Sequence, residues 1–145
     1  MKICEGLPIQ NYVVGFIYNK DKTQVALLRK DRPTWQAGLL NGIGGKIDGN
    51  ESSLEAMVRE CKEETTQSIS DKEWTYFAQF GGDWGTVFCF SAIFHDLSLL
   101  VCEESENIEI IDISNLQNEK TAPNIDFLVL MSLADNIIEA KITSS

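Results

Sequence analysis

GKIDGNESSLEAMVRECKEETTQ, residues 45–67, joins a glycine-rich loop to a segment loaded with carboxylates. Ser52 and Glu55 have the spacing of a capping box, in which hydroxyl and carboxylate each satisfy an orphan amide, so a helix is predicted from about Ser52 to near Thr65. At helical periodicity Leu54, Met57, Val58 and Cys61 share one stripe, the face expected to bury against a sheet. Glu60, Glu63 and Glu64 share another. Carboxylates at that spacing repel one another by a few tenths of a kcal/mol per pair, so a positive partner is needed. Three convergent carboxylates beside a loop whose glycines expose carbonyl oxygens suit a hard divalent cation. Ala56 is expected to leave room for a ligand on that face. A solvated acidic face is the alternative reading.

Gly45, Glu51, Arg59, Glu60, Glu63 and Glu64 fit the pattern G-x5-E-x7-R-E-U-x-E-E-x-G-U, with U a bulky apolar residue, so the stretch resembles the Nudix box. Cys61 takes the apolar place inside the helix, while Thr66 and Gln67 replace the late glycine and the apolar residue after it. The departures bear on how the helix ends more than on metal binding. The resemblance covers about residues 11–135 and implies an α/β fold, a Nudix-type α/β/α sandwich around a mixed β-sheet. It implies Mg2+, or Mn2+ in its place, held by Glu60, Glu63, Glu64 and the carbonyl of Gly44. One carboxylate also takes a proton from water, Glu60 in preference to Glu63. Glu51 and Arg59 read as a structural ion pair, with Gly45 part of the same structural motif. In relatives a glutamate opening a later strand adds a ligand; Glu106 matches best and Glu104 is second.

The wording Asn41-Gly-Ile-Gly-Gly-Lys46 is similar to that of MutT-like Nudix enzymes that cleanse oxidised purine nucleotides, which makes Asn41 a candidate base reader or else a turn residue. Asn124 resembles a second base-contacting asparagine, with a helix N-cap as its alternative. Arg29, Lys30 and Lys46 are candidates for phosphate contact. A P-loop reading of the same glycines fails, because that motif needs Gly and Ser or Thr where the chain has Leu40 and Ile47.

A length of 145 residues with 43% hydrophobic content fits one domain, residues 1–145, ending in a tail at 139–145. Net charge −10 argues against a nucleic-acid polymer as partner, since such binders cluster Lys and Arg. A small nucleotide remains compatible if metal neutralises it. Cys4, Cys61, Cys89 and Cys102 lack C-x-x-C spacing and read as reduced thiols. The start MKICEGLPIQ is too polar for a signal peptide and no apolar run is long enough for a membrane span, so a soluble cytoplasmic protein is expected. Whether it is a monomer or a homodimer is not legible.

Along the chain, 11–18 and 24–29 read as a hairpin, 30–40 as a loop, and 41–47 as a short strand or turn delivering the glycines. Trp35 either packs that loop or stacks on a base. Residues 73–80 and 86–94 read as a second hairpin, ending near the only histidine, His95, a possible general base. Strands are expected at 97–102 and 108–113, and a helix at 123–134, apolar on most sides and well buried. The implied activity is hydrolysis of a nucleoside diphosphate linked to another group, first a nucleoside triphosphate such as 8-oxo-dGTP cut to monophosphate and pyrophosphate. ADP-ribose or a dinucleoside polyphosphate is the alternative substrate. A binding module without turnover is the alternative class, and intact Glu60, Glu63 and Glu64 speak against it.

Overall fold

The computed structural model describes residues 8–134 and the backbone of 140–143. The elements are β1 (Tyr12–Tyr18), β2 (Gln24–Arg29), β3 (Leu40–Asn41), β4 (Ile43–Lys46), α1 (Ser53–Thr65), β5 (Thr75–Gly82), β6 (Gly85–Ile93), β7 (Asn107–Asp112), α2 (Ile125–Ser132) and β8 (Ala140–Thr143). One sheet runs β3-β2-β1-β6-β5-β8, with β4 added to β1 and β7 to β2. β1 is parallel to β6 and β5 to β8, while the remaining pairs are antiparallel, so the sheet is mixed as expected.

Alternation along β1 splits the core into two layers. Val13 and Ile17 face α1, joining Met57 and Cys61. Val14, Phe16 and Tyr18 face α2, joining Ile125, Leu128 and Val129. The sheet is therefore covered on both sides. Ala56 is fully buried in the α1 layer, so it leaves no room for a ligand.

The start of α1 is local chemistry. The Glu55 amide donates to Ser52 Oγ (3.1 Å) and the Ser52 amide to Glu55 Oε1 (2.8 Å), the capping box in full. At the far end Thr66 takes a left-handed conformation (φ 66) and its amide donates to Lys62 O (3.1 Å). A threonine thus performs the turn that glycine makes without a Cβ, at a cost of about 1–2 kcal/mol.

Three expectations are corrected. Leu97–Leu99 is a 3-10 turn and no strand forms across 97–102, because Asp96 Oδ1 accepts from the Ser98 amide (3.0 Å) and hydroxyl (2.6 Å), closing the chain on itself. α2 begins at Ile125, and it is half exposed, with Phe127 and Leu130 facing outward. Ala140–Thr143 pairs with β5 where a tail was expected; 139, 144 and 145 lie outside the described residues, as does Cys4. Cys61, Cys89 and Cys102 are free thiols. Among the described residues no helix is long and apolar enough to cross a membrane.

Candidate functional site

The site begins where β4 passes under α1. Gly44 pairs with Val14 so closely that a Cβ would lie 1.9 Å from Val13 O, which excludes any side chain there. Its amide points away from β1 and donates to Glu64 Oε1 (2.8 Å). Because the N–H and C=O of one strand residue point the same way, the Gly44 carbonyl lies on the Glu64 side as well. At Gly45 a Cβ would stand 2.6 Å from Glu60 Oε1, so the missing side chain is what lets that carboxylate rest on the backbone.

Burial raises the proton affinity of Glu64, the Gly44 amide opposes it, and the charges of Glu60 and Glu106 add to it; the carboxyl reaches a pKa of about 7. Burial likewise holds Glu60 above the usual carboxylate range, partly offset by Arg59. The charge of Glu106, the residue just before β7, is also felt at Glu64. The Glu106 side chain is only 8% exposed, and it accepts from Lys30 Nζ (3.2 Å) and the Asp31 amide (2.9 Å). Glu104 stays at the surface beside Arg32 (3.5 Å), so Glu106 is the glutamate that enters.

Arg59 fastens the loop to the helix. Its Nε donates to Glu51 Oε2 (2.6 Å), Nη2 to Glu51 Oε1 and to Lys46 O (both 2.9 Å), and Nη1 to Glu60 Oε1 (3.1 Å) and Glu63 Oε2 (3.0 Å). Arg59, helped by the Asp48 amide, pulls the Glu51 carboxyl down to about 2. Glu63 is half exposed and turned towards Arg59.

Arg29 is engaged by partners other than Glu60, Glu64 and Glu106. Its Nε and Nη2 clasp Glu109 (2.8 and 2.7 Å), Nη2 also reaches Glu119 (3.2 Å), and Nη1 donates to Gly38 O (3.0 Å). Strand alternation is the reason, since Leu27, two residues before Arg29, faces the α2 layer. Lys30, one residue on, meets the carboxylates.

Asn41 Nδ2 donates to Gln36 Oε1 (3.0 Å) and its Oδ1 accepts from the Gly42 amide (2.7 Å), leaving one N–H and one lone pair. Gln36 carried no signal in the sequence, because the 3-10 turn at Thr34–Gln36 is what brings it round. Asn124 heads α2 in a left-handed conformation (φ 71) with no capping bond from its side chain, so the N-cap reading fails in its chemistry. A parallel bridge between Leu40 and Thr121 brings both asparagines to the same edge of the sheet. Lys46 is exposed. Trp35 is 67% exposed and so does not pack its loop. His95 lies at the surface against the Phe94 ring (4.5 Å).

The donors Glu60, Glu63, Glu64, Glu106 and the Gly44 carbonyl are all oxygen, which fits a hard divalent cation in chemistry. As they stand, no three acidic, His or Cys side chains among the described residues are gathered as a metal cage. The positive groups Arg59 and Lys30 hold them instead.

A family model for the NUDIX domain matches residues 8–130. No curated protein matches the chain in sequence. Among solved structures, a MutT from work on Aliivibrio salmonicida and Vibrio cholerae is 23% identical, covering 88% of this chain and 98% of its own, with a TM-score of 0.71. The MutT protein of Bacillus halodurans is 21% identical over 94% of this chain and 91% of its own, with a TM-score of 0.72. The NUDIX domain of Shewanella oneidensis NrtR, solved with ADP ribose, is 16% identical over 88% and 90%, also at 0.72. At these identities the likeness is one of fold.

Proposed function

The chain belongs to the Nudix family, whose members cleave phosphoric anhydride bonds, and from that premise we propose that it hydrolyses a nucleoside diphosphate linked to a further group, first of all a purine nucleoside triphosphate cut to monophosphate and pyrophosphate. The observation that carries this reading is the pair of buried helix carboxylates seated on bare backbone, Glu64 on the Gly44 amide and Glu60 against Gly45, with the charge of Glu106 from a distant part of the chain felt at Glu64. Family members generally need a divalent cation, and Mg2+ or Mn2+ is the cation proposed here. Glu60, Glu64, Glu106 and the Gly44 carbonyl would hold it, with Glu63 joining once it turns from Arg59. Bound there, it supplies neutralisation of phosphate oxygens and a more acidic water. Glu60 would accept a proton from that water, with the Arg59 bond fixing its position. Asn41, its amide locked in one orientation by Gln36 and Gly42, offers a donor and an acceptor to a purine edge, and Asn124 is a second contact from the same sheet edge. Lys46 and Lys30 remain the phosphate-binding candidates.

The test is a panel of purine and pyrimidine triphosphates, 8-oxo-dGTP, ADP-ribose and a dinucleoside polyphosphate, assayed with Mg2+ for phosphate and pyrophosphate. Pyrophosphate from purine triphosphates is the expected result, with turnover lost in excess chelator. Cleavage of ADP-ribose alone would overturn the triphosphate reading, and undiminished turnover in chelator would overturn the metal. Asn41→Ala should narrow the purine-over-pyrimidine gap in kcat/KM by about tenfold. Equal losses on every nucleotide would reduce Asn41 to a turn residue.

A further inference from the structure

Both oxygens of the buried Glu106 carboxylate are taken from within the protein, one by Lys30 Nζ (3.2 Å) and one by the Asp31 amide (2.9 Å). A carboxylate so far from water needs such partners, and removing them without replacement is costly. The ammonium of Lys30 also acts on Glu64, where it opposes the repulsion from Glu60 and Glu106. It therefore occupies, electrostatically, the place a divalent cation would fill. A cation arriving at Glu64 and Glu106 would meet a like charge a few ångströms away, so either it binds weakly or Lys30 withdraws.

We propose that Lys30 is a resident counter-cation that is handed from Glu106 to the polyphosphate of the substrate as the metal enters, which makes metal and nucleotide bind cooperatively. The inference rests on the metal-dependent reading above and goes beyond it. The side chain is built for the exchange. Lys30 lies just past the end of β2 and its side chain is 20% exposed, so it is not sealed into the core. Its flexible four-carbon stem carries a compact charge with rotatable donors, unlike the fork of an arginine. Arg29 next to it, clasped by two glutamates, is held firmly and cannot take part. Phosphate bridging to a cation at Glu64 and Glu106 would come within reach of the freed ammonium. Linkage then requires the coupling to be reciprocal: nucleotide tightens metal by the same factor as metal tightens nucleotide.

The experiment titrates Mn2+ into the free protein by calorimetry or proton relaxation, with and without a non-hydrolysable methylene analogue of a purine triphosphate. In the wild type the analogue should tighten Mn2+ about tenfold or more, within the range usual for coupled sites. Lys30→Met should bind Mn2+ more tightly than the wild type when no nucleotide is present, and the analogue should then add little. Lys30→Gln, whose amide still donates to Glu106, answers the same question if the Met variant does not fold. Mn2+ affinity unchanged or weaker in the variants, or coupling that survives them, would overturn the role of Lys30 while leaving the metal site intact. Failure of Mn2+ to bind wild type and variants alike would overturn both this inference and the metal-dependent reading.

Discussion

Gly44 and Gly45 are neighbours, yet a methyl group would do different things at each. At Gly44 it would strike the backbone carbonyl of Val13, which cannot move without parting β4 from β1. At Gly45 it would strike only the end of the Glu60 side chain, which can swing away. Gly44→Ala should therefore unfold the protein more readily, while Gly45→Ala should keep its melting temperature and lose about tenfold or more in kcat, roughly 1.4 kcal/mol of barrier. Calorimetry with steady-state kinetics separates the two, and equal melting losses would contradict the distinction. Glu64 gives a pH signature. Unfolded, it titrates near 4.5; folded, burial holds its proton until about pH 7. Across that window the folded state carries a proton the unfolded chain has lost, so stability falls as pH rises, by on the order of 2–3 kcal/mol. Urea denaturation in chelator at both ends of the window should show the slope, and Glu64→Gln should remove this contribution. Glu51 works in the opposite sense, adding stability above its ordinary pKa that is lost as pH falls towards about 2.

At the scale of elements, Arg59 determines how the glycine loop sits on α1, since its guanidinium touches Glu51, Lys46 O, Glu60 and Glu63 together. Arg59→Ala should lower the melting temperature by about 4 °C or more, a loss of at least ~1 kcal/mol, and depress turnover with it. Full stability with abolished turnover would instead place Arg59 on the substrate. α1 itself was legible because its signals are local: the capping box, the apolar stripe and the acidic stripe lie within a few turns of one another. The segment 97–102 was misread for a related reason. Its leucines satisfy a strand pattern, but Leu97 and Leu100 are both buried at the three-residue spacing of a tight turn, which Asp96 closes. α2 was read as well buried because its residues are apolar on most sides, and composition does not say which side the sheet will cover.

Across the whole molecule, Arg29 ties β2 to β7 and to the turn that carries Glu119. Arg29→Met should leave two carboxylates without their cation, lowering stability by about 1–3 kcal/mol while leaving KM for nucleotide within about twofold. A large rise in KM with stability intact would return Arg29 to the substrate. Capping and helix periodicity, which act between residues close in sequence, were enough to read α1 in the chain, and the resemblance to the Nudix box implied the Glu51–Arg59 pair and the mixed α/β architecture. Spacing was not enough to send Arg29 and Lys30 to different partners, or to find Gln36 behind Asn41. Lys30 lies 76 residues from Glu106 and Arg29 lies 80 from Glu109, and only the pairing of β2 with β7 brings those positions together. Once paired, alternation sends Arg29 and Lys30 to opposite faces, and burial decides which carboxylates lose their water and must be met by a cation.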